Sequence, residues 1–147
     1  WPAERFVRLA RHFTETKNWN VVVLGNAQDR AAMPASSGRF LNWAGELTPA
    51  QSWRLLCSAT LFVGNDSGAV HLAAAAGCRC VVVSWDLPDS DPNDANSHRR
   101  FHPYEVHYRL VHPQSPDRRR EASLVSYDAV LRAAEDLASA SNTASPV

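Results

Sequence analysis

Lysine is nearly missing from this chain. Lys17 is the one lysine in 147 residues, so no Gly-Lys-Ser/Thr sequence exists and a P-loop nucleotide site falls away. The six glycines never fall into a Gly-x-Gly-x-x-Gly pattern, which leaves a nicotinamide-dinucleotide reading weak. No apolar run approaches the roughly 20 residues that cross a bilayer, and the first residues carry no basic-then-apolar signal pattern. Cysteine is scarce and odd in number: Cys57, Cys78 and Cys80. Two of them flank Arg79 at the start of an apolar run, which reads as reduced core thiols and not a disulfide framework. No second Cys/His pair stands at zinc-site spacing, which argues against a zinc site. Fifteen cationic and fifteen acidic side chains cancel, so nothing global points to nucleic acid or an acidic surface.

What is present suits a globular chain: 45% hydrophobic and 20% charged residues, ordinary proportions for one domain with a proper core. Residues 2–16 place Phe6, Leu9, Ala10 and Phe13 at helical spacing, with Pro2 and Glu4 suited to a helix start. "NVVVLGN" (20–26) is a continuous apolar run, the pattern of a strand buried on both faces. A shorter strand fits within 39–47. At 48–59, Thr48, Pro49 and Gln51 form a capping-box start to a helix. A strand at 61–64, a helix at 68–76 and a strand at 80–85 follow. A last strand near 107–111 and a helix over 124–139 close the pattern. Helices alternating with short apolar strands predict an α/β fold, a Rossmann-like open parallel sheet with helices on both faces. The expected domain is 1–140, with 141–147 a flexible tail. The segment 98–120 is compositionally odd, with six of the fourteen arginines and four of the six histidines. It is read as a solvated sheet edge, with a basic surface facing a phosphate, a partner domain or a headgroup as the alternative.

The chemistry concentrates at "LFVGNDSGAVHLAAAAG" (61–77). In an open parallel sheet ligands sit beyond the strands' carboxyl ends, and the first amides of the next helix lack intrahelical partners. Gly64 and Gly68 would keep the backbone uncovered, Ser67 would add a hydroxyl, and His71 an imidazole one turn in. A phosphate there gains about 0.3–1 kcal/mol from the helix dipole. Asp66 suits a structural acceptor or a sugar-hydroxyl partner better than a phosphate neighbour. The plainer alternative is a well-capped helix with Ser67 as its cap.

This stretch resembles the signature of glycosyltransferase family 9, the bacterial heptosyltransferases of lipopolysaccharide core synthesis, which carry Asp-Ser/Thr-Gly-x-x-His-x-Ala-Ala-Ala. "WPAERFVRLA", "VVVLGNAQD" and "LNWAGELTPAQSWRLLCSATLFVGNDSG" are similar to further family segments in the same order. The resemblance covers residue 1 to about 85; beyond it only "DSDPN" and "HPY" are similar to family elements.

The resemblance implies the C-terminal, donor-binding half of a two-domain GT-B fold. Asp66, Ser67, Gly68 and His71 would bind the donor diphosphate, and Asp29 the nucleoside ribose; Ala44 or Leu47 would wall the base. The catalytic base belongs to the N-terminal acceptor half, so no catalytic residue is expected here. The family's phosphate-binding lysine precedes Trp-Pro, and this chain opens on Trp1. It is therefore expected to be a piece of something longer, inactive alone and without its domain's first strand. The implied function is inverting, metal-independent transfer of a heptose-type sugar from an ADP-sugar, the donor substrate, to a lipid-linked, lipopolysaccharide-type acceptor. No cofactor and no nucleic acid partner are expected. The implied location is the cytoplasm, possible contact with the inner membrane included. The alternative is a non-catalytic nucleotide-sugar-binding or interaction module. "SWDLPDSDPNDANSHRR" replaces the family's Gly-Pro-Thr. Its Asp86, Asp89, Asp91 and Asp94, with His98 and His102, are expected to form a mobile acidic loop more than a metal site.

Overall fold

The computed structural model describes residues 1–91, 93, 94, 97, 102–114 and 119–140. The chain divides into two compact units, Trp1–Ser52 and Trp53–Val147. The proposed tail at 141–147 lies outside the described residues.

In the first unit, helix α1 (Ala3–Thr16) turns Leu9, Ala10 and Phe13 into the core, as its spacing requires. Phe6 is half-buried and meets Trp1 edge-to-face at 4.9 Å. The helix ends where Asn18 takes a left-handed φ of 56°, a conformation asparagine tolerates better than most residues. That twist returns the Trp19 amide to the Phe13 carbonyl at 3.2 Å and stacks the two rings 5.1 Å apart. Strands β1 (Val21–Val23) and β2 (Phe40–Asn42) pair in parallel, Val21 opposite Phe40 and Val23 opposite Asn42. The three valines of β1 are half-buried, not enclosed on both faces as the apolar run suggests. A two-stranded ladder gives each strand a single hydrogen-bonded neighbour, and α1 is the helix that packs on both strands.

Between the strands lies a short helix, α2 (Ala27–Ala32), which the sequence pattern did not reveal. It buries no side chain and therefore has no apolar periodicity to read. Helix α3 (Pro49–Leu56) begins on the expected capping box. The Thr48 amide donates to Gln51 Oε1 at 2.8 Å, and the Gln51 amide to Thr48 Oγ1 at 3.3 Å.

The second unit holds three parallel strands, β3 (Phe62–Asn65), β4 (Cys80–Val83) and β5 (Tyr108–Val111), in the order β3-β4-β5. Helix α4 (Gly68–Ala75) connects β3 to β4 and packs on both. Helix α5 (Tyr127–Ser139), reached from β5 through a 3₁₀ turn at Ala122–Leu124, packs on β4 and β5. Every residue of β4 is buried. Because alternate side chains face opposite sides of a sheet, the central strand is covered on both faces, as a parallel sheet demands. Val70, Ala73, Val81, Val82, Val83, Val125, Val130 and Ala134 form this core.

Helix ends in this unit are closed by identifiable groups. Gly77, at φ 73°, takes the left-handed turn after α4 and lets the Cys78 amide bond the Ala73 carbonyl at 3.0 Å. Ser126 caps α5, its hydroxyl accepting from the Ala129 amide at 3.2 Å. Arg79, entering β4, donates to the Leu137 carbonyl of α5 at 2.8 Å. Cys78 and Cys80 are buried free thiols, while Cys57 is exposed and so stands outside the core role read for the cysteines. Burial pushes the Cys78 thiol up to about 11 and the Cys80 thiol up to about 12.

Candidate functional site

The polar residues of 64–71 stand at the carboxyl end of β3, where the strand gives way to α4. The ladder ends with Asn65 opposite Val83, and the Asp66 amide donates to the Val83 carbonyl at 3.2 Å. Asp66 is half-buried, and Ser67, Gly68 and His71 are exposed. Ser67 occupies the N-cap position in extended geometry (φ −159°, ψ 174°), yet its hydroxyl makes no cap hydrogen bond. The Val70 amide turns instead to the Ser67 carbonyl at 3.0 Å. The simple-cap alternative thus loses its main contact, and Ser67, Gly68 and Ala69 at the start of α4 are exposed, with the first two helical amides lacking intrahelical partners. His71, four residues on, lies on the same side of the helix one turn up.

The two glycines serve different purposes. A Cβ on Gly68 would meet nothing within 4 Å, so the backbone there is open to an approaching group. A Cβ on Gly64 would stand 2.7 Å from the Phe62 ring. Gly64 therefore makes room for a neighbouring side chain, not for a ligand as the sequence suggested.

Asp29 lies in the first unit, at the third position of α2. It completes a capping box with Asn26: the Asn26 amide donates to Asp29 Oδ2 at 2.8 Å. Asn26 Oδ1 accepts from the Gln28 and Asp29 amides at 2.7 and 3.1 Å. One carboxylate oxygen is thus engaged in holding the helix start. Ala44 is fully buried, so its methyl belongs to the core, while Leu47 is half-buried.

Asn42, at the end of β2, went unnoticed in the sequence. Its buried amide donates to the carbonyls of Arg30 (3.2 Å), Met33 (3.4 Å) and Pro34 (2.9 Å), and its Oδ1 accepts from the Ala44 amide at 3.4 Å. This one side chain holds the far end of α2 against β2. Arg30 also pairs with Glu46.

The segment after β4 departs most from expectation. Asp86 is not part of a mobile acidic loop; it is 1% exposed. Its amide donates to Ser84 Oγ at 3.0 Å, and its carboxylate accepts from the Leu87 amide at 2.9 Å and the Ser90 hydroxyl at 2.6 Å. Ser90 and Ser97, both buried, sit 3.2 Å apart. His112 Nδ1 donates to the Asp86 carbonyl at 3.0 Å. Arg120 places Nε 3.5 Å from Asp86 Oδ1 and donates to Asp94 Oδ2 at 2.9 Å. The Asp94 hydrogen bond, with Asp86 nearby, holds the guanidinium more firmly protonated than usual. The mobile-loop expectation missed this arrangement because Arg120, which faces Asp86, is distant in sequence. Among the described residues no group of three or more His, Cys, Asp or Glu is arranged to hold a metal ion. His98 lies outside the described residues. No described helix is long and apolar enough to cross a membrane.

Parallel strands alternating with helices, and polar residues gathered past a strand's carboxyl end, define a Rossmann-like α/β protein. Residues 1–84 match the family model of glycosyltransferase family 9 (heptosyltransferase), and the chain belongs to that family. Two solved structures share its fold. One is a family 9 glycosyltransferase from Veillonella parvula, with a TM-score of 0.71 and 21% identity. The other is ADP-heptose lipopolysaccharide heptosyltransferase II of E. coli, with a TM-score of 0.67 and 23% identity. Each match covers 94% of this chain and 41% of the solved chain. Among curated proteins no sequence matches.

Proposed function

We propose that this chain is the donor-binding half of a glycosyltransferase that moves a heptose-type sugar from an ADP-sugar to a lipopolysaccharide-type acceptor with inversion. The observation that carries this reading is Ser67: an N-cap serine that leaves its hydroxyl unused for capping, inside a segment matching family 9. Diphosphate oxygens at that point would meet the amides of Gly68 and Ala69, the Ser67 hydroxyl and the His71 imidazole. A helix N-terminus favours such an anion through its dipole. The same donors would stabilise the charge that builds on the departing nucleoside diphosphate, without a metal. Asp66 would orient the turn, and Asp29 would take the ribose hydroxyls of the nucleoside. The base that deprotonates the acceptor would come from an acceptor-binding half, and transfer needs that half. The domain would run over residues 1–140, and the whole protein would work at the cytoplasmic face of the inner membrane, where lipid-linked acceptors are presented.

The test is an amide-NMR titration of the chain with ADP, and with UDP and GDP as matched controls. Shifts centred on Asn65–His71 and Asp29, with ADP preferred, are expected. Preference for UDP or GDP would remove the ADP-sugar donor while leaving the diphosphate site. No binding by any of the three at millimolar concentration would overturn the donor-site reading for this chain.

A further inference from the structure

We infer that Asp86 and Arg120 are a positioning pair that fixes the turn at 84–90, just after β4, as the wall on the sugar side of the donor site. They would thereby govern which sugar is accepted, not whether the nucleotide binds. This rests on the donor-binding reading above.

The placement follows from the ladder. The Asp66 amide bonds the Val83 carbonyl, so Ser84 leaves β4 directly beside the signature turn. A ligand whose diphosphate lies at Ser67–His71 carries its sugar past the carboxyl ends of these neighbouring strands, the usual ligand side of such a sheet. The turn at 84–90 would therefore border the sugar.

That turn is held from three directions. Within the turn, Asp86 gathers Ser84, the Leu87 amide and Ser90 around its own amide and carboxylate. From the end of β5, His112 grips the Asp86 carbonyl. From beyond β5, Arg120 joins Asp86 to Asp94. Burying a carboxylate is costly unless it is hydrogen-bonded and faced by a cation, and Arg120 places its Nε 3.5 Å from Asp86 Oδ1. Removing Arg120 should loosen the turn without touching the diphosphate donors. A fixed wall discriminates between sugars of different size and stereochemistry, whereas a yielding one accommodates them.

The experiment uses Arg120→Met, Asp94→Asn and the conservative Arg120→Lys. For each, calorimetry gives the Kd of ADP, ADP-heptose and ADP-glucose, and hydrogen exchange follows the Leu87 amide. Asp94→Asn weakens the outer arm, the Arg120–Asp94 contact, and guards against a misfolded Arg120 variant. Expected for Arg120→Met is an ADP affinity within about twofold of the wild type. Its ratio of ADP-heptose to ADP-glucose affinity should shift by about fivefold or more, with faster Leu87 exchange and partial recovery in Arg120→Lys. An unchanged ratio despite faster exchange would overturn the inference, as would equal losses for all three ligands, the mark of a purely structural role. Failure of ADP to bind the wild type would instead bring down the donor-binding reading and this inference with it. ADP binding without any sugar preference in the wild type would sink the pair's role alone.

Discussion

The ring of Phe62 lies across Gly64, with ring carbons 2.7 Å from the point where a Cβ on residue 64 would stand. Four residues on, the space above Gly68 is empty to 4 Å. Two glycines of one signature thus separate into a packing glycine and an access glycine. Gly64→Ala is expected to cost about 1–3 kcal/mol, because an extra methyl must displace a ring in a packed strand. Gly68→Ala should leave stability unchanged or slightly higher, yet weaken ADP binding by obstructing the approach to the helix amides. Thermal unfolding and calorimetric titration of both variants check the contrast. Equal stability losses in the two would contradict it.

Ser67 and Ser126 make a second matched pair. Both occupy N-cap positions, but only Ser126 accepts a cap hydrogen bond. Ser126→Ala is therefore expected to lower stability by about 1 kcal/mol. Ser67→Ala should lower it by no more than about 0.5 kcal/mol while reducing ADP affinity several-fold. Denaturant unfolding of the two variants, read beside their ADP titrations, decides the matter.

Much of this arrangement was legible in the residues. Apolar spacing placed α1 and α5, and the short valine-rich runs placed β1 and β4, because burial imposes those periods; α3 was legible from its capping box. The signature turn could be read because it is continuous in sequence. What escaped was the part held together by polar groups distant along the chain. Asn42 closes α2 through three carbonyls, and Arg120 reaches back to Asp86 and Asp94. Such partnerships have no period, and a carboxylate met alone in a polar stretch reads as solvated. Helix α2 escaped for a related reason: a helix that buries nothing shows only its caps.

Asp29 has two candidate roles that a charge-neutral variant separates. In Asp29→Asn the side-chain oxygen can still accept from the Asn26 amide, so the cap geometry survives. The lost charge at the helix start should cost at most about 1 kcal/mol. A charged acceptor facing a ribose hydroxyl contributes about 1.5–3 kcal/mol, so ADP affinity should fall about tenfold or more. If calorimetry finds the ADP affinity unchanged, Asp29 is a capping residue alone. Asn26→Ala, which removes the cap itself, should cost about 1 kcal/mol in stability.

The buried thiols set an alkaline limit on stability. Burial is the largest cause of both rises; Arg79 partly offsets it at Cys78, and Cys78 reinforces it at Cys80. In the unfolded chain both ionise near the ordinary value of 9.0, whereas the folded chain keeps them protonated to about 11 and about 12. Across that window the folded state binds more protons than the unfolded one, so stability falls as pH rises. Below pH 9 the contribution is fully present. Chemical denaturation at pH 8, 9 and 10 should show a progressive loss that Cys80→Ala blunts. The same burial predicts selective labelling: at pH 8 iodoacetamide should modify the exposed Cys57, leaving Cys78 and Cys80 untouched until the chain unfolds. Mass spectrometry after brief labelling reads this directly. Modification of all three thiols in the folded protein would show that the second unit opens around β4.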